Sequence, residues 1–518
     1  MGKKSKRVRK SNNTAASSES NIVTDGEDQR SKVAPAVRPP KVEDSENLHF
    51  EDPYGDEYEE EDVFDGGEGN EAMETSKTAN DNDPNKVVAW NPFSSNHNEN
   101  EPLEMDASAY KMHHALTPEW PSLSFDFIRD NLGSTHRTRF PHSLIAAIGT
   151  QADRAEKNKL TILKLSDLGR VKKQNDDDND DEWEEYDKDN KSDEDDEDDE
   201  EDVDYDPVLE HFSIPHNGGV NRLRCMPQNN SIVATWSDTG KVNIFNTESI
   251  VQALEGNGAG SNNKFPKSPF FTYSHHATEG YAMDWSSVVT GQLATGDCQG
   301  NIHLWKPTEL LENKEWTTST WDVQAAYSSS SNDNSVEDLQ WSPTEATVFA
   351  SAECGGGYIR IYDTRRYGQA MLSQHISAPQ NVDINVIAWN KLVPNLLASG
   401  SDDGTFSVWD LRTFSSANVK PLARFTCHQK PITSLEWHPT DESMIVISDE
   451  DGTFIYDLSI EQEDDQQQGV DDEDIPPQLL FVHCGSTNTK ENHWHPQISS
   501  CIMTTAFSGF TTFIPSNL

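Results

Sequence analysis

The residues of this chain whose types could do chemistry are mostly acids, and they stand in three long runs. Residues 176–206 contain 22 Asp and Glu against two Lys, residues 43–62 contain 11 acids, and residues 461–474 contain eight. Runs this polar cannot bury enough apolar surface to offset the entropy of ordering, so we expect them to be disordered. Dense carboxylates bind strongly basic partners by charge, and two of the runs are predicted to do so. The predicted acidic contacts are Asp176, Asp177, Asp178, Glu194, Asp195, Asp196, Glu197, Asp198, Asp199, Glu200, Glu201, Asp202, Asp471, Asp472, Glu473 and Asp474.

The acidic run 176–206 has a plainer interpretation, in which it only keeps the chain soluble. Binding is favoured because the run is long and pure, and because it contains Trp183, Tyr186 and Tyr205. These aromatic side chains could anchor on a partner or stack on its arginines. Ser192 precedes three acids, the pattern that acidophilic kinases prefer, and is a candidate phosphorylation site, although such a pattern is also common by chance.

Other chemistry is disfavoured by the spacing of its residues. His493 and His495 flank Trp494 and would share one face of a strand, with no third metal ligand nearby, so a structural role is expected. Residues Gly355 to Gly357 lack the GK[ST] of a phosphate loop and indicate a turn. Neither a nucleophile elbow nor a catalytic triad emerges. We therefore expect no enzyme activity, no metal and no cofactor.

Composition narrows the class of protein further. The 518 residues have a net charge of −49 and only 33% hydrophobic residues, which argues against direct nucleic-acid binding and against a membrane protein. The charged N-terminus lacks the apolar stretch of a signal peptide, so a soluble intracellular monomer is expected. The first ten residues fit a nuclear localisation signal, with a chance basic terminus as the alternative. Its basic residues are Lys3, Lys4, Lys6, Arg7, Arg9 and Lys10.

From residue 210 onward the chain repeats with a period of about 50 residues. Five tryptophans each close one strand, and each is followed by a short strand, a polar turn with glycine, and a β-branched or aromatic strand. The tryptophans are Trp285, Trp341, Trp389, Trp437 and Trp494. The glycines, expected where a positive φ is needed, are Gly240, Gly300, Gly357, Gly404 and Gly452.

This repeat resembles that of WD-repeat β-propellers, and Trp409-Asp410 shows the literal dipeptide. Six copies are visible after residue 210, and residues 123–168 supply a degenerate first one. We therefore predict an all-β, seven-bladed propeller over residues 123–518, with a disordered insert at 176–206 in blade one and an acidic and Pro-Pro loop at 461–477. Residues 1–80 are predicted to be a disordered tail, and residues 81–122 an N-terminal helix and lead-in strand.

Residues 104–128 favour a short helix with Asp106 as its N-cap, stopped by Pro118 and followed by an extended strand, EWPSLSF. This arrangement resembles the histone-binding WD-repeat chaperones related to the small subunit of chromatin assembly factor. In them a Pro-Pro loop of the penultimate blade packs near the helix, and the two hold a basic helix of the client. The resemblance implies a client-binding groove of Tyr110, His114, Leu116, Trp120, Leu123, Pro476, Pro477, Leu479 and Phe481.

The blade-one insert, together with residues 106–116, 215–224 and 490–498, most resembles the glutamate-rich WD-repeat proteins. Members are ribosome-biogenesis factors of the nucleus and nucleolus. The fungal branch implies a dedicated chaperone of the basic large-subunit ribosomal protein L-three, needed for early 60S assembly, with pre-60S assembly factors as further partners. Charge supports this class, because acidic segments can shield a basic ribosomal protein and then yield to rRNA.

Two other functions stay open on the sequence. A histone chaperone or chromatin-complex component would share the helix and Pro-Pro loop, although a dedicated histone binder would not need so acidic an insert. A substrate receptor of a cullin-ring ubiquitin ligase is suggested by residues 396–412, where Arg412 follows Trp409-Asp410, although plain blade geometry explains the same residues.

Overall fold

The computed structural model describes the part of the chain that forms a ring of sheets, within the compact unit Val87–Leu518. The predicted tail, residues 1–80, lies outside the described residues and stays a prediction. The described residues are Phe93, 105–133, 136–171, 206–256, 265–308, 321–328, 334–366, 372–375, 382–415, 419–461 and 475–518.

Seven antiparallel sheets of four strands make up the ring. Blades one to three are β2 (Phe125–Ile128), β3 (His142–Gly149), β4 (Lys159–Leu168) and β5 (Val208–Pro215); β6 (Val220–Met226), β7 (Asn229–Ser237), β8 (Val242–Asn246) and β9 (Phe271–Tyr273); and β10 (Ala282–Trp285), β11 (Leu293–Gly296), β12 (Asn301–Pro307) and β13 (Trp321–Ser328). Blades four and five are β14 (Val336–Trp341), β15 (Val348–Glu353), β16 (Tyr358–Asp363) and β17 (Leu372–His375); and β18 (Ile384–Trp389), β19 (Leu396–Ser401), β20 (Phe406–Asp410) and β21 (Ala423–Phe425). Blades six and seven are β22 (Ile432–Trp437), β23 (Met444–Asp449), β24 (Gly452–Asp457) and β25 (Leu479–Cys484); and β26 (Glu491–Trp494), β27 (Ile502–Ala506), β28 (Gly509–Pro515) and β1 (Tyr110–Leu116).

The predicted seven-bladed WD-repeat propeller is confirmed, because the innermost strands contact one another in cyclic order and β26 returns to β2. Apolar side chains of neighbouring blades form the core between them. Helical structure is short: one α-helix, α1 (Glu248–Leu254), and 3-10 turns at Ala107–Ala109, Ala155–Lys157 and Leu411–Thr413 are described. None of the helices in the described ranges is long and apolar enough to span a bilayer.

The predicted N-terminal helix is wrong, and β1 takes its place. Asp106 does cap a turn, since its carboxylate accepts the Ser108 N–H at 2.9 Å, but the turn lasts only from Ala107 to Ala109. β1 then pairs antiparallel with β28 and completes blade seven. An isolated helix of this length is marginal, whereas the free edge of β28 offers a full ladder of backbone hydrogen bonds. The ring therefore begins before residue 123.

The sequence also predicts a strand over EWPSLSF, which is largely wrong, because β2 begins only at Phe125. The residues just before β2 serve the neighbouring blade instead. The Ser124 hydroxyl accepts the Leu223 N–H of β6 at 2.9 Å. A strand partner for this segment would displace that contact between blades one and two.

The five tryptophans end the innermost strands of blades three to seven, as the repeat predicts. Four of their indole N–H groups donate to a backbone carbonyl of the preceding blade's innermost strand. Trp285 donates to Arg224 at 3.1 Å, Trp341 to Asp284 at 3.1 Å, Trp437 to Ala388 at 2.9 Å and Trp494 to Glu436 at 3.3 Å. Trp389 instead bonds the Pro394 carbonyl in its own blade at 2.8 Å.

The glycine prediction holds at four of five turns. Gly240, Gly300, Gly357 and Gly404 have φ between 65° and 78°, which side chains with a Cβ adopt only with strain. Gly452 does not need a positive φ. It starts β24, and a Cβ there would lie 2.8 Å from the His483 carbonyl oxygen, so close packing of β24 on β25 accounts for it.

Candidate functional site

The outer strands of blades seven and six, β1 and β25, bring together two of the predicted groove residues. The rings of Tyr110 and Phe481 meet edge to face with centroids 5.3 Å apart. The Tyr110 hydroxyl is hydrogen-bonded to Nδ1 of His483 at 2.8 Å, and His483 stacks on Phe513 at 4.3 Å. His113 lies against both Tyr110 and His483. We refer to Tyr110, His113, Phe481, His483 and Phe513 as the aromatic cluster.

Burial keeps the polar atoms of this cluster uncharged. Burial, with smaller contributions from Cys484 and Asp106, raises the pKa of Tyr110 to about 12. Burial next to His113 lowers the pKa of His483 to about 3. The cluster is therefore neutral at physiological pH, and Tyr110 and Phe481 remain half-buried. It offers an aromatic rather than a charged surface.

The other predicted groove residues point elsewhere, because successive residues of a strand face opposite sides. Nε2 of His114 lies 3.2 Å from the Gly169 carbonyl in blade one, and Leu116 packs in the core between blades seven and one. Trp120 lies under the Lys157 ammonium, 5.0 Å from the ring centroid, also in blade one. The predicted single groove is thus divided between two sides of β1.

The Pro-Pro segment forms a turn before β25. The Pro476 carbonyl accepts the Leu479 N–H at 3.0 Å, and Pro477 is exposed. Leu479 packs with the core between blades five and six, away from the aromatic cluster. Leu123 is half-buried just before β2.

The roots of the two acidic inserts lie on either side of blade seven. The blade-one insert leaves after Val171, whose N–H donates to the Lys111 carbonyl of β1 at 3.0 Å, and the chain returns at β5. The blade-six insert leaves after β24 and returns before β25, and its two ends are tied by Gln478 Nε2 donating to the Ile460 carbonyl at 2.8 Å. Both connect the third and fourth strands of a blade, so both leave the same face of the ring.

This arrangement can bind a basic, partly apolar chain. Two acidic segments are tethered on one face, with blade seven and its aromatic cluster between them. The predicted acidic residues of 176–202 and 471–474, Ser192, and the basic residues Lys3 to Lys10 lie outside the described residues. Their roles stay predictions.

The sequence interpretation missed a charged network lining the central channel. Glu491 accepts from Arg222 at 2.7 Å, from Arg224 at 2.9 Å and from the Phe125 N–H at 2.8 Å, which ties blade seven to blades one and two. Nδ1 of His493 lies 3.0 Å from Glu436 in blade six. Despite burial, Glu436 and Glu491 raise the pKa of His493 to about 9.

Two motifs that were expected to be structural have structural surroundings. His493 belongs to the channel network, and Nδ1 of His495 accepts the N–H groups of Gln497 and Ile498 at 3.0 and 2.9 Å. Gly355 to Gly357 form the turn between β15 and β16. Within the described residues, no group of three His, Cys, Asp or Glu side chains is arranged to hold a metal ion.

Arg412, the residue that suggested a ubiquitin-ligase adaptor, is exposed and forms an ion pair with Asp410 at 2.6 Å. Blade four repeats the arrangement, with Arg365 on Asp363 at 2.6 Å. The same clamp at two blade ends favours ordinary blade geometry.

The fold and the divided groove define a class: a WD-repeat propeller with the N-terminal segment of histone-binding chaperones. The family model of the histone-binding protein RBBP4 and its counterpart in the CAF1 complex matches residues 100–168, and that of the WD domain, G-beta repeat, matches residues 372–410 and 419–455. Ribosome assembly protein rrb1 of Schizosaccharomyces pombe is 38% identical over 94% of this chain and 96% of its own length. Glutamate-rich WD repeat-containing protein 1 of Dictyostelium discoideum is 40% identical over 84% of this chain and 86% of its own.

The chain belongs to the glutamate-rich WD-repeat protein family. A more distant similarity, 27% identity over 54% of this chain and 60% of the other, connects it to histone acetyltransferase type B subunit 2 of Candida glabrata.

Proposed function

We propose that this protein is a ribosome-biogenesis factor of the nucleus and nucleolus that chaperones the basic large-subunit ribosomal protein L-three until early 60S assembly. The observation that carries the proposal is the near full-length similarity to a ribosome assembly protein. The role is binding and release, without catalysis.

The position of the inserts supports a chaperone role for a basic client. Acidic segments on both sides of blade seven attract the client and screen its charge, while the aromatic cluster gives an apolar contact between them. With a Debye length of about 8 Å at physiological salt, only acids that nearly touch the client contribute, which tethered segments can do. The rRNA has a higher charge density, so it displaces the acids once it contacts the client.

The test measures the affinity of the full chain for ribosomal protein L-three, for core histones and for a basic decoy of similar charge. We expect tightest binding to L-three at physiological salt. A matched variant carries Gln or Ser in place of every acid in 176–206 and 461–474, at unchanged length. It is expected to lose at least about tenfold in affinity for L-three, since charge complementarity governs encounter and affinity here. Equal affinity of the wild-type chain for L-three and the decoy would contradict the proposal.

A histone chaperone is the second candidate, favoured by the family match over residues 100–168. The same measurement separates the two functions. Tighter binding of histones than of L-three, with release of histones only on DNA, would support the second candidate and overturn the first.

A further inference from the structure

A large cavity lies between blades seven and one, on the face of the ring where the inserts leave. Its volume is about 1120 Å³, at the upper end for ligand pockets and enough for several peptide residues. Its walls come from the residues before β1, the end of β28, the loop before β3 and the end of β4. The cavity lies on the opposite side of β1 from the aromatic cluster.

The charged lining of this cavity is opposite in sign to the chain as a whole. Lys111, Arg137 and Arg170 line it, against a single carboxylate, Asp106. The chain carries a net charge of −49, so a local excess of cations marks a place where an anionic ligand is favoured. Arg170 is exposed, stacks on Phe140 with 5.1 Å to the ring centroid, and has no carboxylate partner among the residues that the structure describes.

The floor of the cavity is rigid. The backbone of Arg137 pairs with blade seven, since its N–H donates to the Gln497 carbonyl at 2.9 Å and its carbonyl accepts from Ser499 at 3.2 Å. The guanidinium is fixed by Asp130 at 2.9 Å and by the Ser143 carbonyl at 3.2 Å. A fixed cation loses little conformational entropy when a ligand binds.

The positive potential has a visible effect on a neighbouring side chain. Burial together with the charges of Arg137 and Arg170 lowers the pKa of His142, which lines the cavity, to about 4. Apolar wall comes from Phe140, Ile514 and the half-exposed Met105. The lining thus suits carboxylates next to one apolar side chain.

We propose that this cavity is a docking site for a short acidic peptide of a second protein, separate from the site of the basic client. Arg170 and Lys111 bind the carboxylates at the rim, and the Phe140 and Ile514 wall takes an apolar side chain. A peptide is favoured over a nucleic acid, because a phosphate polymer must approach the long acidic inserts at the same face.

The test uses the full chain and a fluorescently labelled peptide, Glu-Asp-Leu-Glu-Glu-Asp, in anisotropy titrations at about 0.15 M salt. We expect saturable binding that weakens at least about tenfold in Arg170→Glu and in Lys111→Glu, as expected for loss of charge-assisted hydrogen bonds. The matched control is Lys420→Glu, the same charge change at an exposed residue of blade five, and it should leave the affinity unchanged. Arg170→Lys keeps the charge and should lose only about threefold.

Three outcomes overturn the proposal. The first is no saturable binding to the wild-type chain, or equal loss in the Lys420→Glu control. The second is a short single-stranded RNA that competes at lower concentration than the peptide, which would assign the cavity to phosphates. The third is peptide binding that appears only after neutralising residues 176–206 and still depends on Arg170, which would assign the cavity to the chain's own acidic segment.

Discussion

His493 is the residue whose charge matters most for closing the ring. Its imidazole lies between Glu436 of blade six and Glu491 of its own blade, with nitrogen to oxygen distances of 3.0 and 3.6 Å. Glu491 also holds Arg222 and Arg224, and its pKa is well below the usual range because these cations and His493 outweigh its burial. One buried network therefore joins blades six, seven, one and two.

The pKa of His493, raised to about 9, predicts a loss of stability at alkaline pH. A raised folded-state pKa contributes stability that is complete below the unfolded value near 6.5 and is lost as pH rises through 9. His493→Gln should lower the free energy of unfolding by about 3 kcal/mol near pH 6, since it leaves buried carboxylates without their cation. The difference between the variant and the wild-type chain should shrink by pH 9.5.

Chemical denaturation across pH 5.5–9.5 measures this difference. His211→Gln, at an exposed histidine of β5, is the matched control and should follow the wild-type curve. A constant difference between His493→Gln and wild type over the whole range would mean that His493 is neutral in the folded protein. The buried neutral His483 and His495, with pKa values of about 3, act in the opposite direction and destabilise the fold only as pH falls below about 6.5.

At the scale of the strand, the residue before each tryptophan links one blade to the next. Asp284 accepts the Trp341 N–H at 2.7 Å through its carboxylate, and its carbonyl accepts the Trp341 indole. Glu436 does both for Trp494, at 2.9 and 3.3 Å. The Gln340 side chain accepts the Trp389 N–H at 2.7 Å. The dipeptides Asp-Trp, Gln-Trp and Glu-Trp were visible in the sequence as the signal for this contact.

Removing the acceptor at Asp284 should weaken the contact between blades three and four. Asp284→Ala is expected to cost about 1–3 kcal/mol, because the buried Trp341 N–H loses its partner. Asp284→Asn should cost less than about 1 kcal/mol, since the amide oxygen still accepts and burial raises the pKa of Asp284 to about 7. Thermal and denaturant unfolding measure both, with Asp402→Ala at an exposed turn as the control. Equal loss in the Asn and Ala variants would show that charge, and not the hydrogen bond, stabilises the contact.

The strand β1 shows where sequence patterns stop being sufficient. Tyr110 to Leu116 fits a helix by its spacing of apolar residues, yet Met112, His114 and Leu116 also alternate as a strand does. The decision comes from the free edge of β28, about 400 residues away along the chain, which local patterns cannot show. The same alternation separates His114 and Leu116 from Tyr110, which is why a groove carried over residue by residue did not survive as one surface.

For the whole molecule, the repeat was enough to predict the ring, because every blade marks its innermost strand with a tryptophan or its turn with a glycine. Sequence also located both acidic inserts between strands. It did not show that the inserts flank one blade on one face, since this follows from ring closure by β1. Nor did it show the cationic cavity, whose Lys111, Arg137 and Arg170 come from three separate segments.

The placement of the inserts predicts that they act together on one client. Neutralising the acids of 176–206 alone, or of 461–474 alone, should weaken L-three binding by about tenfold each, while neutralising both should weaken it by much more than either. Each single variant should also flatten the dependence of affinity on salt, the longer insert more. The melting temperature should stay unchanged, because Val171 and Gln478 fix the roots of the inserts within the folded blades. A double variant no weaker than the worse single one would show that the client contacts only one insert, and a collapsed melting temperature would show that the acids support the propeller itself.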